Sequence, residues 1–130
     1  MNYKGIIIEE SLKNSVILKD IKIVETKVER VTEHHKTPWL TTWSLHTVEI
    51  PENKSDEIAE KLSKVIDDNP SSWYIDFKND TYDYIILPNK IFKVDLANPT
   101  LYKDAKAYGI SLNIPPYQLD FFPDDSIWKR

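Results

Sequence analysis

The chain has 130 residues, a mass of 15.3 kDa and a formal net charge of -4, which predicts one acidic domain large enough to bury its own core. It contains no cysteine, which excludes disulfides, thiolate-bound zinc and cysteine nucleophiles. It contains only two glycines, so neither a phosphate-binding loop nor a glycine-rich dinucleotide turn can be formed.

The amino-terminal segment offers only three consecutive isoleucines before Glu9 and Glu10, which is too short an apolar run for a secretory signal. No other run approaches the roughly 20 apolar residues that a membrane helix needs. Together with the absence of cysteine, this predicts a cytoplasmic protein without a membrane partner.

The first half of the chain predicts three strands, over residues 3–9, 21–31 and 42–50. In the second of these, apolar and charged residues alternate from Val24 onward, which is typical of a half-exposed antiparallel strand. The alternation slips at Ile23 and Val24, where a bulge is expected.

The second half begins with a helix from Ser55, in which Ile58, Leu62, Val65 and Ile66 form one apolar stripe. Three strands follow, over residues 72–77, 82–87 and 91–94, separated by turn residues. A second helix starts after Asn98-Pro99 and is predicted to end at Gly109.

The element order βββαβββα predicts an α+β fold, with a mainly antiparallel sheet of about six strands and both helices packed on one face. Residues 1–123 form the predicted single domain, and residues 124–130 its mobile carboxyl-terminal end. The segment 110–122 is apolar enough that we expect it to dock on the domain.

Residues 73–95 (WYIDFKNDTYDYIILPNKIFKVD) and 101–121 (LYKDAKAYGISLNIPPYQLDF) resemble small, uncharacterised single-domain proteins of bacteria and archaea. The similarity covers most of the chain. It implies a compact free-standing domain and no activity, so no functional residue is transferred from it.

The residues that suggest chemistry are few. Glu33, His34 and His35 share a predicted loop and His46 lies on the next strand, but their spacing matches no zinc signature, so neither a metal nor another cofactor is expected. Asp76 lies among aromatic residues, where desolvation would raise the pKa of its carboxyl and fit it for acid–base work. The alternative for Asp76 is a solvated residue paired with a lysine.

Aromatic residues are the most suggestive feature, because they make up 12% of the chain and include four tryptophans. Such side chains form ligand-stacking surfaces and binding hot spots, although the same residues also fill cores. The predicted ligand-binding residues are Trp39, Trp43, Tyr74, Asp76, Tyr82, Tyr84 and Tyr117.

The leading hypothesis is a non-enzymatic binding or interaction module with an aromatic-lined groove, because no catalytic motif is present. One alternative is a small enzyme that uses aspartate and histidine acid–base chemistry, and another is an acidic inhibitor of a basic protein. The expected partner is a small molecule or a protein and not a nucleic acid, because basic residues are scattered among acidic ones. Either a monomer or a homodimer fits the sequence.

Overall fold

The computed structural model describes residues 1–32, 37, 39–68 and 72–119. Its six strands and two α-helices follow one another in the order βββαβββα. Their bounds are β1 Tyr3–Ile8, β2 Lys22–Arg30, β3 Thr42–Ile50, α1 Ser55–Val65, β4 Ile75–Lys78, β5 Tyr82–Leu87, β6 Lys90–Asp95 and α2 Leu101–Ser111.

All six strands form one antiparallel sheet with the spatial order β2-β3-β1-β4-β5-β6. The predicted α+β class, the antiparallel sheet and the element order are confirmed. β1 lies in the middle, paired with β3 over its whole length but with β4 only at Lys4 and Gly5. A short seam therefore joins a β2–β3–β1 half of the sheet to a β4–β5–β6 half.

The two helices cover opposite faces of the sheet, which corrects the expectation that both pack on one face. On β5, Tyr84 and Ile86 belong to the core beneath α1, whereas Ile85 and Leu87 belong to a second core beneath α2. Because successive strand residues point to opposite faces, a strand that is apolar at each of these positions needs cover on both sides.

β2 is an edge strand, and eight of its nine residues are exposed. The bulge predicted near Ile23 and Val24 is confirmed by a register shift between Ile23 and Glu25. The expectation of a half-buried strand is wrong, because Val24 and Val28 remain 58% and 63% exposed. Alternation reveals which residues share a face but not whether another layer covers that face.

α2 continues to Ser111, two residues beyond its predicted end at Gly109. The left-handed backbone position that follows the helix is taken by Asn113, with φ of 68°. Gly109 instead gives room to the side chain of Leu119, which a Cβ at this glycine would meet at 2.7 Å.

The segment after α2 docks on the domain as far as the structure describes it. Ile114 and Leu119 are buried in the core beneath α2, and a short 3-10 helix spans Pro116–Gln118. The rest of the predicted docking segment and the predicted mobile end, residues 124–130, lie outside the described residues.

Candidate functional site

A groove of about 260 Å³ lies on the β2–β3–β1 half of the sheet. Its lining is formed by Ile6 of β1, by Trp43, Leu45 and Thr47 of β3, and by Glu25, Lys27 and Glu29 of β2. The strand registers place these side chains on one face of the sheet. The groove therefore has a largely apolar floor and a charged rim along the edge strand.

The groove lies on the same face as α2. Gly5 pairs with Phe77, which faces the α1 core, so the neighbouring residues Ile6 and Asp76 both point to the opposite face. α2 covers the β4–β6 part of that face. Among the described residues, no helix covers the β1–β3 part, and the groove occupies that region.

Trp43 forms one end of the groove and is itself only 5% exposed. Its ring packs against Trp73 with a centroid separation of 5.3 Å, and its indole N–H donates a hydrogen bond of 2.9 Å to Thr37. Because both ring contacts are internal, Trp43 shapes the floor and leaves little of its surface for stacking with a ligand.

The outer edge of β2 carries backbone groups that no described strand pairs. Val31 donates a backbone hydrogen bond to Thr41, so in an antiparallel ladder Glu29 and Lys27 also direct their backbone groups toward β3. The intervening residues Thr26 and Val28 direct theirs outward. This free edge borders the groove along its charged rim.

The other face of the same strands carries a chain of three polar side chains. His46 is buried; its Nε2 lies 2.7 Å from Glu9 Oε1 and its Nδ1 lies 2.8 Å from Thr26 Oγ1. Next to it, Glu10 accepts hydrogen bonds from the backbone N–H and the hydroxyl of Ser44. Glu9, His46 and Thr26 therefore form a chain in the order carboxylate, imidazole and hydroxyl.

Two carboxyl groups are buried under α2. Asp76 and Asp83 lie on neighbouring strands and hydrogen-bond to each other, and Tyr102 donates to Asp83 Oδ2 at 2.7 Å. Burial raises the pKa of Asp76 to about 6, and burial together with the Asp76 charge raises the pKa of Asp83 well above its usual range. Burial therefore favours the protonated form of both carboxyl groups.

An aromatic cluster lies between the sheet and the start of α1. Lys93 Nζ lies 4.4 Å from the ring centre of Tyr82 and 5.2 Å from that of Tyr84. The Tyr84 hydroxyl donates to Asp56 and lies 3.1 Å from Ser55 Oγ. These contacts tie α1 to β5 and β6, so the cluster has a clear structural role.

The residues that sequence reasoning selected as a binding site do not converge. Tyr82 and Tyr84 lie on the α1 face, whereas Tyr74 and Asp76 lie on the α2 face. Tyr74 is buried there, and its hydroxyl donates to the Gln118 carbonyl.

The other three selected residues lie in three further places in the molecule. Trp43 forms part of the groove, and Trp39 is 43% exposed in the segment before β3. Tyr117 lies in the short Pro116–Gln118 helix, and its side chain lies outside the described part of the structure. A binding role for these residues stays a prediction.

Within residues 1–32, 37, 39–68 and 72–119, no group of three or more histidine and carboxylate side chains is arranged to hold a metal ion. Glu33, His34 and His35 lie outside these ranges, so the loop weighed as a metal site is not described. No helix in the described part is long and apolar enough to cross a bilayer.

Sequence reasoning missed the free edge of β2 and the partnership of His46 with Glu9. No sequence signal marked the edge, because the position of β2 at the end of the sheet depends on the order of the strands. The Glu9–His46 contact gave no local signal, since it depends on the pairing of β1 with β3.

Comparison of the chain with protein-family models, with curated proteins and with solved structures gives no match.

Proposed function

We propose that the protein is an interaction module that binds an extended polypeptide segment along the free edge of β2. The observation that carries this proposal is a nine-residue edge strand with outward backbone groups and exposed valines, directly beside an open groove. An edge strand of this length is a template for strand addition, in which main-chain hydrogen bonds supply affinity.

The groove adds side-chain selectivity to such an edge. An added strand would lie about 4.8 Å from β2, and every second side chain would face the groove. A volume of about 260 Å³ is below the range typical of pockets for drug-sized ligands. It suits one or two side chains of a bound peptide better than a small-molecule substrate.

The charged rim favours a partner of mixed charge. Glu25, Lys27 and Glu29 alternate in sign along the groove side of β2. Cross-strand pairs of opposite charge stabilise an antiparallel ladder, and like charges directly opposite one another destabilise it. The partner segment should therefore present a basic residue opposite each glutamate and an acidic residue opposite the lysine.

The proposal is tested by selecting phage-displayed random peptides on the full chain and measuring an enriched synthetic peptide by fluorescence anisotropy. Val28→Pro removes one outward N–H but no bond to β3, so we expect it to weaken peptide binding at least about tenfold. Val28→Thr keeps the N–H and serves as the matched control. Equal binding of the peptide to wild type and Val28→Pro would contradict the proposal.

A second candidate function is suggested by the Glu9–His46–Thr26 chain. A carboxylate that orients an imidazole, which in turn accepts a proton from a hydroxyl, is the arrangement that activates hydroxyl nucleophiles. If Thr26 is such a nucleophile, a fluorophosphonate probe should label Thr26 in wild type but not in His46→Ala, as read by intact mass and peptide mapping. Absence of labelling in folded wild type rejects this candidate.

A further inference from the structure

We infer, resting on the proposed function, that the segment which adds to β2 is the β2 strand of a second copy of this chain. The two strands run antiparallel, with the twofold axis passing at Thr26. Thr26 is the midpoint of Lys22–Arg30, so this register gives the longest overlap of the two strands, although the bulge at Val24 interrupts the regular ladder toward each strand's amino-terminal end. A twofold interface needs a surface that is complementary to itself, and the following features of β2 provide one.

The charges on the groove side agree with this register. Glu25 lies opposite the partner's Lys27, and by symmetry Lys27 lies opposite the partner's Glu25. Shifting the axis by one residue, to Lys27, would place Glu25 opposite the partner's Glu29 and lysine opposite lysine. Moving the axis by one residue shifts the register by two, and charge pairing disfavours that shift.

The opposite face contributes apolar contact. The same register brings Val28 close to the partner's Val24, which is the extra residue at the bulge between Ile23 and Glu25, and the symmetric pair repeats the contact. These two valines are the most exposed apolar residues of β2, and pairing them covers both. The outward backbone groups of Thr26 meet the outward groups of the partner's Thr26 in the same register.

Two competing features limit the strength of the pairing. The ends of the strands place Lys22 opposite the partner's Arg30, and these exposed like charges oppose the contact. Placing the axis at Val28 avoids this pair and still sets Lys27 opposite the partner's Glu29, but it shortens the overlap and leaves Val24 uncovered. The register at Thr26 has the larger contact and differs from this competitor in a testable way.

The absence of cysteine provides a direct test of the register. In the proposed dimer, Thr26 faces the partner's Thr26 with a Cα separation of about 5.5 Å, which suits a disulfide. Full-length Thr26→Cys should form a covalent dimer under mild oxidation, as measured by non-reducing electrophoresis and intact mass. Val28→Cys is the matched control and should stay largely monomeric, since its counterpart lies four residues away along the strand.

A second experiment avoids any dependence on disulfide chemistry. Sedimentation equilibrium on the full chain should show a concentration-dependent dimer, and Glu25→Lys or Lys27→Glu alone should raise its dissociation constant about tenfold. The double variant E25K/K27E should return it to near the wild-type value. Lys103→Glu, on the exposed side of α2, makes the same change in net charge as Lys27→Glu and should have no effect.

Each outcome decides between the two proposals. A chain that is monomeric at all concentrations overturns the second-copy inference, while peptide capture by the β2 edge would still support the proposed function. If the dissociation constant of the dimer is unchanged in both Glu25→Lys and Lys27→Glu, the dimer forms through another surface, which also overturns the inference. Preferential cross-linking of Val28→Cys, or failure of the double variant to rescue, overturns the register at Thr26.

Discussion

The two halves of the sheet differ in how their faces are covered. β4 and β5 lie between α1 and α2, and most of their residues are buried on both sides. β2, at the far end of the other half, is exposed at eight of nine residues, and the face beside it is open. One sheet therefore combines a sealed half, which supplies stability, with an open half, in which no described strand pairs with the outer edge of β2.

The contrast also shows where titratable groups can act. Asp76 and Asp83 are enclosed beneath α2, so their shifted pKa values affect folding before they affect any ligand. The charges of Glu25 and Lys27 on β2 are exposed, so they contribute little to stability, and in the proposed function they act in the choice of partner. Perturbed acids in this protein are therefore a weaker guide to function than an unpaired strand edge.

A substitution at the seam between the two halves of the sheet should have the largest effect on the unfolding free energy. A Cβ added at Gly5 would lie 2.4 Å from the backbone oxygen of Asp76, which cannot move without separating β1 from β4. Gly5→Val should cost about 4 kcal/mol or more of unfolding free energy, measured by urea denaturation. Gly109→Ala is the control and should cost much less, because the nearest atoms belong to the Leu119 side chain. Similar costs for both variants would show that the seam is adaptable.

The next prediction compares a buried with an exposed apolar residue. Leu62 of α1 is fully buried in the core of the sealed half, so Leu62→Ala should lower the unfolding free energy by about 2–5 kcal/mol. Val28→Ala on the open edge should lower it by only about 0.5 kcal/mol in dilute protein. Comparable losses in the two denaturation curves would mean that the β2 edge is packed in solution.

The carboxyl pair predicts that stability depends on pH. Asp76 has a folded pKa of about 6, above the value of about 4 in an unfolded chain, so the folded protein binds more protons. The stabilising contribution of the pair is complete below about pH 4 and is lost as pH rises through the folded pKa. Asp83→Asn removes one titrating carboxyl and should raise the unfolding free energy by about 1–3 kcal/mol at pH 7.5.

At pH 4.5, where Asp83 is already protonated, Asp83→Asn should have almost the same unfolding free energy as wild type. The unfolding free energy of the variant should therefore differ less between pH 4.5 and pH 7.5 than that of wild type. Thermal melts at both pH values measure the difference, with the exposed Asp80→Asn as control. Destabilisation by Asp83→Asn at neutral pH would show that the ionised pair is itself favourable.

The smallest expected effect concerns the rim of the groove. Glu25→Gln removes one exposed charge from β2 and should change the melting temperature of the monomer by about 1 °C or less. The same substitution should alter the peptide sequences selected by the edge. A large loss of stability would indicate that the rim charges belong to the fold instead of to recognition.

Much of the fold was predictable because its signals are local. The stripe of Ile58 and Leu62, the turn residues between β4, β5 and β6, and the slip at Val24 each specify structure within a few residues. The opposite placement of the helices was not predicted, although the unbroken apolar run of β5 carried the information.

The candidate site was less predictable, because it depends on β2 having a neighbouring strand on one side only and on the adjacent face of the sheet having no described helix over it. Tyr84 and Asp76 resemble site residues in sequence, yet tertiary packing buries both. The exposure of Val28 and the contact of His46 with Glu9 follow from the order of strands in the sheet. Single-sequence patterns do not determine that order when several antiparallel arrangements satisfy the same alternation.

The central position of β1 has a consequence for how the protein folds. β2 can pair with β3, and β4 with β5 and β6, through nearby segments of chain, but β1 must meet both β3 and β4 across much longer separations. Closing long loops is entropically costly, so the β2–β3 pair and the β4–β5–β6 group should form first. β1 should then insert between these two groups. The rate-limiting event in folding would then be the docking of a single strand, and the transition state should contain the native contacts of Tyr3 and Ile7 only in part.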